Sequence, residues 1–302
     1  MFDITIIGCG VAGMTAALYS LRANKKVLIL EKESYGGQIA KSPLIENFPT
    51  KKSASGSELA DELFEQITDL GVEFELENVE KIGTKENIFV VKTDYNEYET
   101  KTVIIANGVK PRTLGLENEE KFLGNGVYYC AVCDGPFFAG QDVVLVGDGN
   151  SAMQYALMLA GYCKKVTMVT MFDKFFGEKV LEDKLRETEN IEIIPNAVAS
   201  KLIGNDKLSS VEFKSSDGNN FEIKTNALFV AIGQLPDNNK FENVVDLDKN
   251  GYIVAGEDTT TKTNGIFVAG DTRTKAVRQV TTAVADGAIA SVAAVNYINL
   301  GK

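Results

Sequence analysis

One strand–turn–helix–strand unit occurs twice in this chain at the same spacing, and that repeat restricts the fold more than any other feature. The first copy has a strand at residues 4–7, the turn Gly8-Cys9-Gly10-Val11-Ala12-Gly13, a helix pattern over 14–23 and a strand at 27–30 that ends at Glu31. The second has a strand at 143–146, the turn Gly147-Asp148-Gly149-Asn150-Ser151-Ala152, a helix pattern over 151–161 and a strand at 166–169. In both, 19 positions separate the first glycine from the start of the next strand. Such units build parallel sheets with crossover helices, so the expected fold class is α/β with two Rossmann-like nucleotide-binding domains. The glycines let a pyrophosphate approach a helix N-terminus, and an acid ending the second strand accepts the ribose hydroxyls. A glycine turn also serves simply to pack a helix on a sheet. The flanking strands and Glu31 favour dinucleotide binding in the first copy. Counting 23 positions from the first glycine gives Glu31 in one copy and Thr170 in the other.

Residues 263–271 read as a strand ending in Gly270-Asp271. Arg278-Gln279-Val280 and an alanine-rich helix over 282–296 follow. A helix N-terminus beside a Gly-Asp turn suits a flavin ring and its ribityl chain. The tail therefore returns to the first domain, and the second is inserted into it. The expected segments are 1–112 and 239–302 for the FAD-type domain and 113–238 for the insert. The linkers fall at 107–112 and 233–239, each with Gly and Pro.

The 302 residues suffice for two domains. A hydrophobic content of 44% and a charged content of 24% fit a soluble globular protein. No run reaches the ~18 apolar residues of a membrane span. Met1-Phe2-Asp3 offers no basic leader, so a cytoplasmic protein without membrane contact is expected. The net charge, 31 − 42 = −11, argues against nucleic acid as a partner. The chain has no histidine, so any proton transfer uses another group.

Four cysteines are present, and only Cys130 and Cys133 have redox spacing. A C-x-x-C pair in a cytosolic chain is catalytic or metal-binding. A zinc site wants four ligands, and without histidine, with Cys9 and Cys163 inside the nucleotide-fold segments, no metal is expected. Cys9 and Cys163 read as small buried residues.

With these motifs in place the chain resembles the low-molecular-weight thioredoxin reductases over nearly its whole length. The resemblance rests on Gly8-x-Gly10-x-x-Gly13, Gly36-Gly37-Gln38, Ile45-Glu46-Asn47-Phe48-Pro49, Ala106-Asn107-Gly108, Cys130-Ala131-Val132-Cys133-Asp134-Gly135, Ala231-Ile232-Gly233 and Gly270-Asp271 with Arg278-Gln279. It implies a homodimeric enzyme, a thioredoxin-disulfide reductase, with FAD in the first domain and the redox disulfide in the second. Residues expected to line FAD are Gly8, Gly10, Val11, Ala12, Gly13, Glu31, Lys32, Gly37, Gln38, Asn47, Val79, Ala106, Asn107, Gly108, Gly270, Asp271, Arg278, Gln279 and Val280. Cys130 and Cys133 are the expected redox pair, Cys133 nearer the flavin and Cys130 attacking the partner. Asp134 is the expected acid for the leaving thiolate, or else a turn residue before Gly135-Pro136. A dithiol that serves both a flavin and an external protein requires the insert to rotate about the two linkers.

The chain departs from the NADPH-dependent members at the end of the second repeat. Their His-Arg-Arg cluster, with a further Arg four residues on, corresponds to Thr170-Met171-Phe172 and Phe176 here. Each lost charge-assisted hydrogen bond to a phosphate removes roughly 1.5–3 kcal/mol. Thr170 offers at most one neutral hydrogen bond to a ribose, so NADPH is not expected to bind. The apolar residues Met171, Phe172, Phe175 and Phe176 read either as core and surface packing, or as a cover for the vacated pocket or a partner face. This departure resembles the ferredoxin-dependent flavin thioredoxin reductases of anaerobic bacteria, implying ferredoxin as electron donor and thioredoxin as acceptor. Lys110, Arg112, Arg273 and Lys275 are candidates for a basic docking patch, or are solvated surface cations. The rival readings are an NADPH enzyme with a different phosphate site, a ferredoxin–NADP reductase of the same fold, and a flavin redox sensor that is not an enzyme.

Overall fold

A computed structural model describes residues 1–42 and 45–301; Lys302, the last residue of the expected tail segment, lies outside the described residues. The chain divides into two compact units, residues 1–110 with 235–302, and residues 111–234.

Unit 1 opens with β1 (Phe2–Ile7), α1 (Val11–Arg22) and β2 (Val27–Glu31), followed by α2 (Gly56–Asp69) and β3 (Glu73–Leu76). The strands β4 (Val79–Lys85), β5 (Ile88–Thr93) and β6 (Glu97–Ile105) complete this first segment. β1 and β2 are short, largely apolar and buried, as parallel strands covered on both faces require, whereas the edge strand β3 alternates Glu73, Phe74, Glu75 and Leu76 and is mostly exposed. β1 pairs in parallel with β2 on one side and β6 on the other, and the sheet runs in the order β3-β2-β1-β6-β5-β4. α2 begins with a capping box between Ser55 and Glu58, which satisfies two otherwise orphan donors.

The chain leaves unit 1 as β7 (Lys110–Pro111). Unit 2 contains the short α3 (Glu119–Phe122), β8 (Val127–Tyr128), α4 (Ala131–Asp134), β9 (Asp142–Val146), α5 (Asn150–Ala160), β10 (Lys165–Val169), α6 (Lys179–Glu187) and β11 (Ile191–Ile194). Next come β12 (Ala197–Gly204), β13 (Leu208–Ser215), β14 (Asn220–Lys224) and β15 (Leu228–Val230), and the chain returns as β16 (Gln234–Leu235). Five parallel strands form one sheet in the order β11-β10-β9-β15-β8, and β12-β13-β14 form an antiparallel one. One face of the parallel sheet packs against α5 and α6 through Val143, Leu145, Met153, Leu159 and Leu185. Residues of alternate parity, Val144, Val146, Leu228 and Val230, pack with Leu202, Val211 and Phe213 of the antiparallel sheet, which is the period-two pattern of a strand buried on both faces.

Back in unit 1, β17 (Ile266–Val268) pairs in parallel with residues 103–105 of β6, while β5 pairs with residues 97–100. α7 (Val280–Asn299) packs along α1 through small residues such as Ala290 and Ala294. Both repeats form as the spacing predicts; α1 begins at Val11, three residues before the expected Met14, and α5 at Asn150, one before the expected Ser151. Gly10 and Gly149 are extended and act as N-caps.

Candidate functional site

In unit 2, Cys130 and Cys133 are joined by a disulfide with 5.3 Å between their Cα atoms. Cys130 is the N-cap of α4, and its Sγ accepts the Cys133 backbone N–H at 3.2 Å. Cys133 is exposed and Cys130 half-buried. Asp134 closes the same turn through its own N–H to the Cys130 carbonyl oxygen at 3.0 Å. Burial pushes the Asp134 carboxyl above the usual carboxylate range, so the proton is held to higher pH than on a surface aspartate.

In unit 1 the first glycine turn lies on β1 and opens α1. A Cβ on Gly13 would run into the Gly8 carbonyl oxygen, whereas a Cβ on Gly10 would meet nothing within 4 Å. α1 has no side-chain cap and no acid in its first turn, so the N–H groups around Val11 and Ala12 are orphan donors. Glu31 stands beside them: its carboxylate accepts N–H groups from Cys9 at 2.8 Å, Lys32 at 2.9 Å and Glu33 at 3.1 Å. The Lys32 ammonium lies 3.7 Å from Glu33. Gly36 donates to the Cys9 carbonyl oxygen at 2.8 Å, which brings Gly37 against Gly10.

The remaining expected residues of unit 1, Val79 excepted, are linked to one another or to their neighbours by direct contacts. Gln38 Nε2 donates to the Val109 carbonyl oxygen at 3.2 Å, beside the loop Ala106-Asn107-Gly108. Asn107 Nδ2 donates to Asn238 Oδ1 at 3.0 Å, and its Oδ1 is buried without a partner. Asn47 Nδ2 donates to Gln279 Oε1 at 3.2 Å, and Gln279 caps α7, of which Val280 is the first residue. Arg278 stacks its guanidinium 4.1 Å from the Tyr252 ring centroid and donates to the Asp271 carbonyl oxygen at 3.3 Å. A Cβ on Gly270 would stand 2.9 Å from Ala12 Cβ, so the Gly-Asp turn rests on the start of α1. Asp271 Oδ1 is buried without a partner; burial pushes this carboxyl up against the opposing pull of Lys275 and Arg278. Val79 is set apart from the others, its side chain buried in the sheet core.

The second glycine turn differs in kind. Thr170 is 2% exposed, and its hydroxyl donates to the Phe172 carbonyl oxygen at 2.7 Å. The hydrogen bond expected of it toward a ribose is therefore already used inside the loop. The apolar run separates: Phe175 joins the core, while Met171, Phe172 and Phe176 are 59%, 43% and 53% exposed. The Phe172 and Phe176 rings meet edge-on at 5.3 Å, and Lys174 lies over Phe176. Phe176 N–H donates to the Asp148 carbonyl oxygen at 2.8 Å, and Phe176 pairs with Gly149. The loop is thereby fastened to the glycine turn itself. Asp148 is a residue that motif reading passes over, because it occupies an unspecified position of G-x-G. It places a carboxylate, pushed up by burial, in the turn where a pyrophosphate would approach. Its charge was the available signal.

The expected basic patch is corrected by the structure. Arg273 is 1% exposed and Lys275 has a buried ammonium group; both pair with Asp286 of α7. Lys110 pairs with Asp237, and Arg112 is exposed. Two of the four candidates are core cations, because a sequence shows their charge but not the carboxylate that α7 brings to them. Cys9 and Cys163 are free and buried. Among the described residues no cluster of His, Cys, Asp and Glu is placed to hold a metal ion, and no helix is long and apolar enough to cross a membrane.

A profile of the Pyridine nucleotide-disulphide oxidoreductase family matches residues 2–287. The chain belongs to this family. It is 37% identical over 300 residues to the thioredoxin reductase of Bacillus subtilis, covering 99% of this chain and 95% of the relative. Among solved structures it is similar to Lactococcus lactis thioredoxin reductase in its FR conformation, with 35% identity, a TM-score of 0.97 and coverage of 99% of this chain and 100% of that one. It is also similar to a ferredoxin-flavin thioredoxin reductase from Clostridium acetobutylicum, with 28% identity, a TM-score of 0.54 and coverage of 99% and 98%. The chain is thus a flavin disulfide oxidoreductase of the thioredoxin-reductase type, with FAD as its cofactor. Unit 1 fits that group on its own chemistry: the uncapped start of α1 has donors for a pyrophosphate, and the buried Asp271 oxygen is an acceptor left without a donor.

Proposed function

We propose that the chain reduces the disulfide of a thioredoxin through Cys130 and Cys133, with electrons that reach its FAD from a reduced ferredoxin rather than from NADPH. The observation that carries the donor assignment is the second glycine turn. Met171, Phe172 and Phe176 stand where guanidinium groups would grip a 2′-phosphate, Thr170 is committed to Phe172, and Asp148 sets a negative charge in the turn. A phosphate brought there gains no charge-assisted bond and meets a carboxylate.

FAD, when bound, supplies a store that fills one electron at a time and empties two at a time into a disulfide. The residues that would hold it are Gly8 through Gly13, whose turn offers donors for a pyrophosphate, Glu31 with Lys32, whose carboxylate would accept ribose hydroxyls, and Gly37, Gln38, Asn47, Asn107, Asp271, Arg278 and Gln279. Reduction of Cys130–Cys133 takes two electrons and two protons overall. Asp134, with its carboxyl pushed up by burial, is the group that hands a proton to the departing sulfur. The Cys130 thiolate then attacks the partner's disulfide, and a mixed disulfide forms as one partner thiolate leaves. The Cys133 thiolate displaces the second partner sulfur, which restores Cys130–Cys133 and releases a dithiol. The working state is a homodimer in the cytoplasm; Ala285, Ile289 and Val292 leave an exposed stripe of small and apolar side chains along α7 suited to a second copy.

Anaerobic mixing of the holoprotein with NADPH, and separately with reduced ferredoxin, tests the donor by flavin absorbance. Bleaching with ferredoxin alone supports the assignment; rapid bleaching with NADPH sinks it. The second reading, an NADPH enzyme with a phosphate site built from other residues, is favoured by the higher likeness to the L. lactis enzyme, whose name carries no ferredoxin.

A further inference from the structure

Asp286 is a buried carboxylate that no expected cofactor contact explains. It is 2% exposed. Its Oδ2 accepts the Gly270 backbone N–H at 2.9 Å, Arg273 Nε at 2.9 Å and Lys275 Nζ at 2.8 Å, and its Oδ1 accepts a terminal Arg273 nitrogen at 2.8 Å. Buried ion clusters of this kind add little net stability over apolar packing, so stability alone does not account for it. What they fix is geometry, because the guanidinium fork and the backbone donor must meet one carboxylate at set angles.

All the donors come from a single turn, residues 270–275, and Asp271 lies between them. Gly270 has φ +81°, a left-handed conformation that glycine adopts without strain. Its N–H is tied to Asp286 on one side of Asp271, and Arg273 and Lys275 are tied on the other. Further bonds complete the clasp: Arg273 donates to the Thr274 carbonyl oxygen at 2.9 Å, and Lys275 Nζ to the Thr282 carbonyl oxygen at 3.3 Å. Glu257, also paired with Arg273, is a solvated partner with 88% of its side chain exposed. The buried groups thus hold two cations against one carboxylate, and the charge of Lys275, with that of Arg278, pulls the Asp271 carboxyl down against its burial.

We propose that Asp286 is a positioning residue for the flavin: from α7 it clamps the turn 270–275, which fixes the direction of the Asp271 carboxylate and keeps a cation beside it. The inference rests on the FAD reading above. Asp271 is the group that touches the ligand, and Asp286 acts through it.

The test is the FAD dissociation constant of the full-length chain, read by flavin fluorescence. Asp286→Asn preserves size but leaves Arg273 and Lys275 without their shared buried counter-ion, with only the solvated Glu257 still paired to Arg273. It should weaken FAD about tenfold or more, the scale of one charge-assisted bond, while the count of two thiols released from Cys130–Cys133 stays unchanged. Lys275→Met should weaken FAD severalfold. The double variant Asp286→Asn/Lys275→Met, which again sets one cation against Asp271, should bind FAD more tightly than Asp286→Asn alone. A merely space-filling role predicts that the two losses add, and that result overturns the proposal. So does wild-type affinity in Asp286→Asn. If Asp286→Asn does not fold, Asp286→Glu and Lys275→Met carry the test, and wild-type FAD retention in both overturns it. A wild-type chain that takes no FAD overturns the flavin reading and the clamp together, whereas normal FAD in the wild type and in Asp286→Asn overturns the clamp alone.

Discussion

Asp134 and the two redox cysteines occupy one turn, so their chemistry separates by single substitutions. Cys130→Ser and Cys133→Ser should each abolish thioredoxin reduction in a coupled assay while the flavin still bleaches with its donor. Asp134→Asn should slow dithiol formation in stopped flow and flatten its pH dependence. The sign follows from burial: the carboxyl is pushed up, so its protonated form persists above the usual range and declines as pH rises. The wild-type rate should therefore fall with rising pH through that range, and a profile that rises instead refutes the acid role. Individual residues were legible in the sequence where a motif names them. Cys130, Cys133, Glu31 and Asp271 stand where their motifs place them. Arg273, Lys275 and Asp148 were not legible, for two physical reasons. The burial of Arg273 and Lys275 depends on a counter-ion 13 and 11 residues away on another element, and an unspecified motif position conceals a charge.

The two glycine turns share a backbone but differ in what surrounds them, and substitutions at each should tell them apart. Gly13→Ala drives a methyl group into the Gly8 carbonyl oxygen; thermal unfolding should show unit 1 destabilised by about 1–3 kcal/mol, as overpacking does. Gly10→Ala faces open space and should leave the apoprotein's melting temperature near wild type while FAD titration shows a large loss of affinity. Equal melting losses in the two variants contradict this account. At the second turn, a variant carrying Met171→Arg, Phe172→Arg, Phe176→Arg and Asp148→Gly should gain NADPH affinity in fluorescence titration, by roughly 1.5–3 kcal/mol for each charged bond that forms. No gain would place any phosphate site elsewhere. The elements themselves were readable because strand, turn and helix repeat at fixed spacing. The start of the first helix was not, since it begins where its N-cap backbone turns, at Gly10, rather than at Met14 where the apolar period becomes visible. The fate of the apolar run was also hidden. Only the fold shows that Phe175 goes inward while Phe172 and Phe176 stay out.

The molecule as a whole is a chain that leaves one unit, builds another from residues 111–234 and returns. The proposed reaction asks one disulfide to serve two partners, so an engineered crosslink between the units should support one half-reaction and not both. Flavin reduction is expected to persist while thioredoxin turnover stops, and survival of both rejects the motion. The inserted organisation was readable from the Gly-Asp turn near the end of the chain, which belongs with the first repeat. The way the returning segment completes the first sheet was not. Residues 103–105 of β6 have β17 as their neighbour on the side where residues 97–100 have β5. That arrangement sets an order of events on the ribosome. The inserted unit is contiguous and has all its strands once residue 234 is made, whereas the first unit keeps an open, wholly apolar edge at Val103, Ile104 and Ile105 until residues 266–268 emerge. Through that interval the growing chain carries a folded insert beside a sticky half-finished sheet, and stalling there exposes it to aggregation in a way that stalling past residue 268 does not.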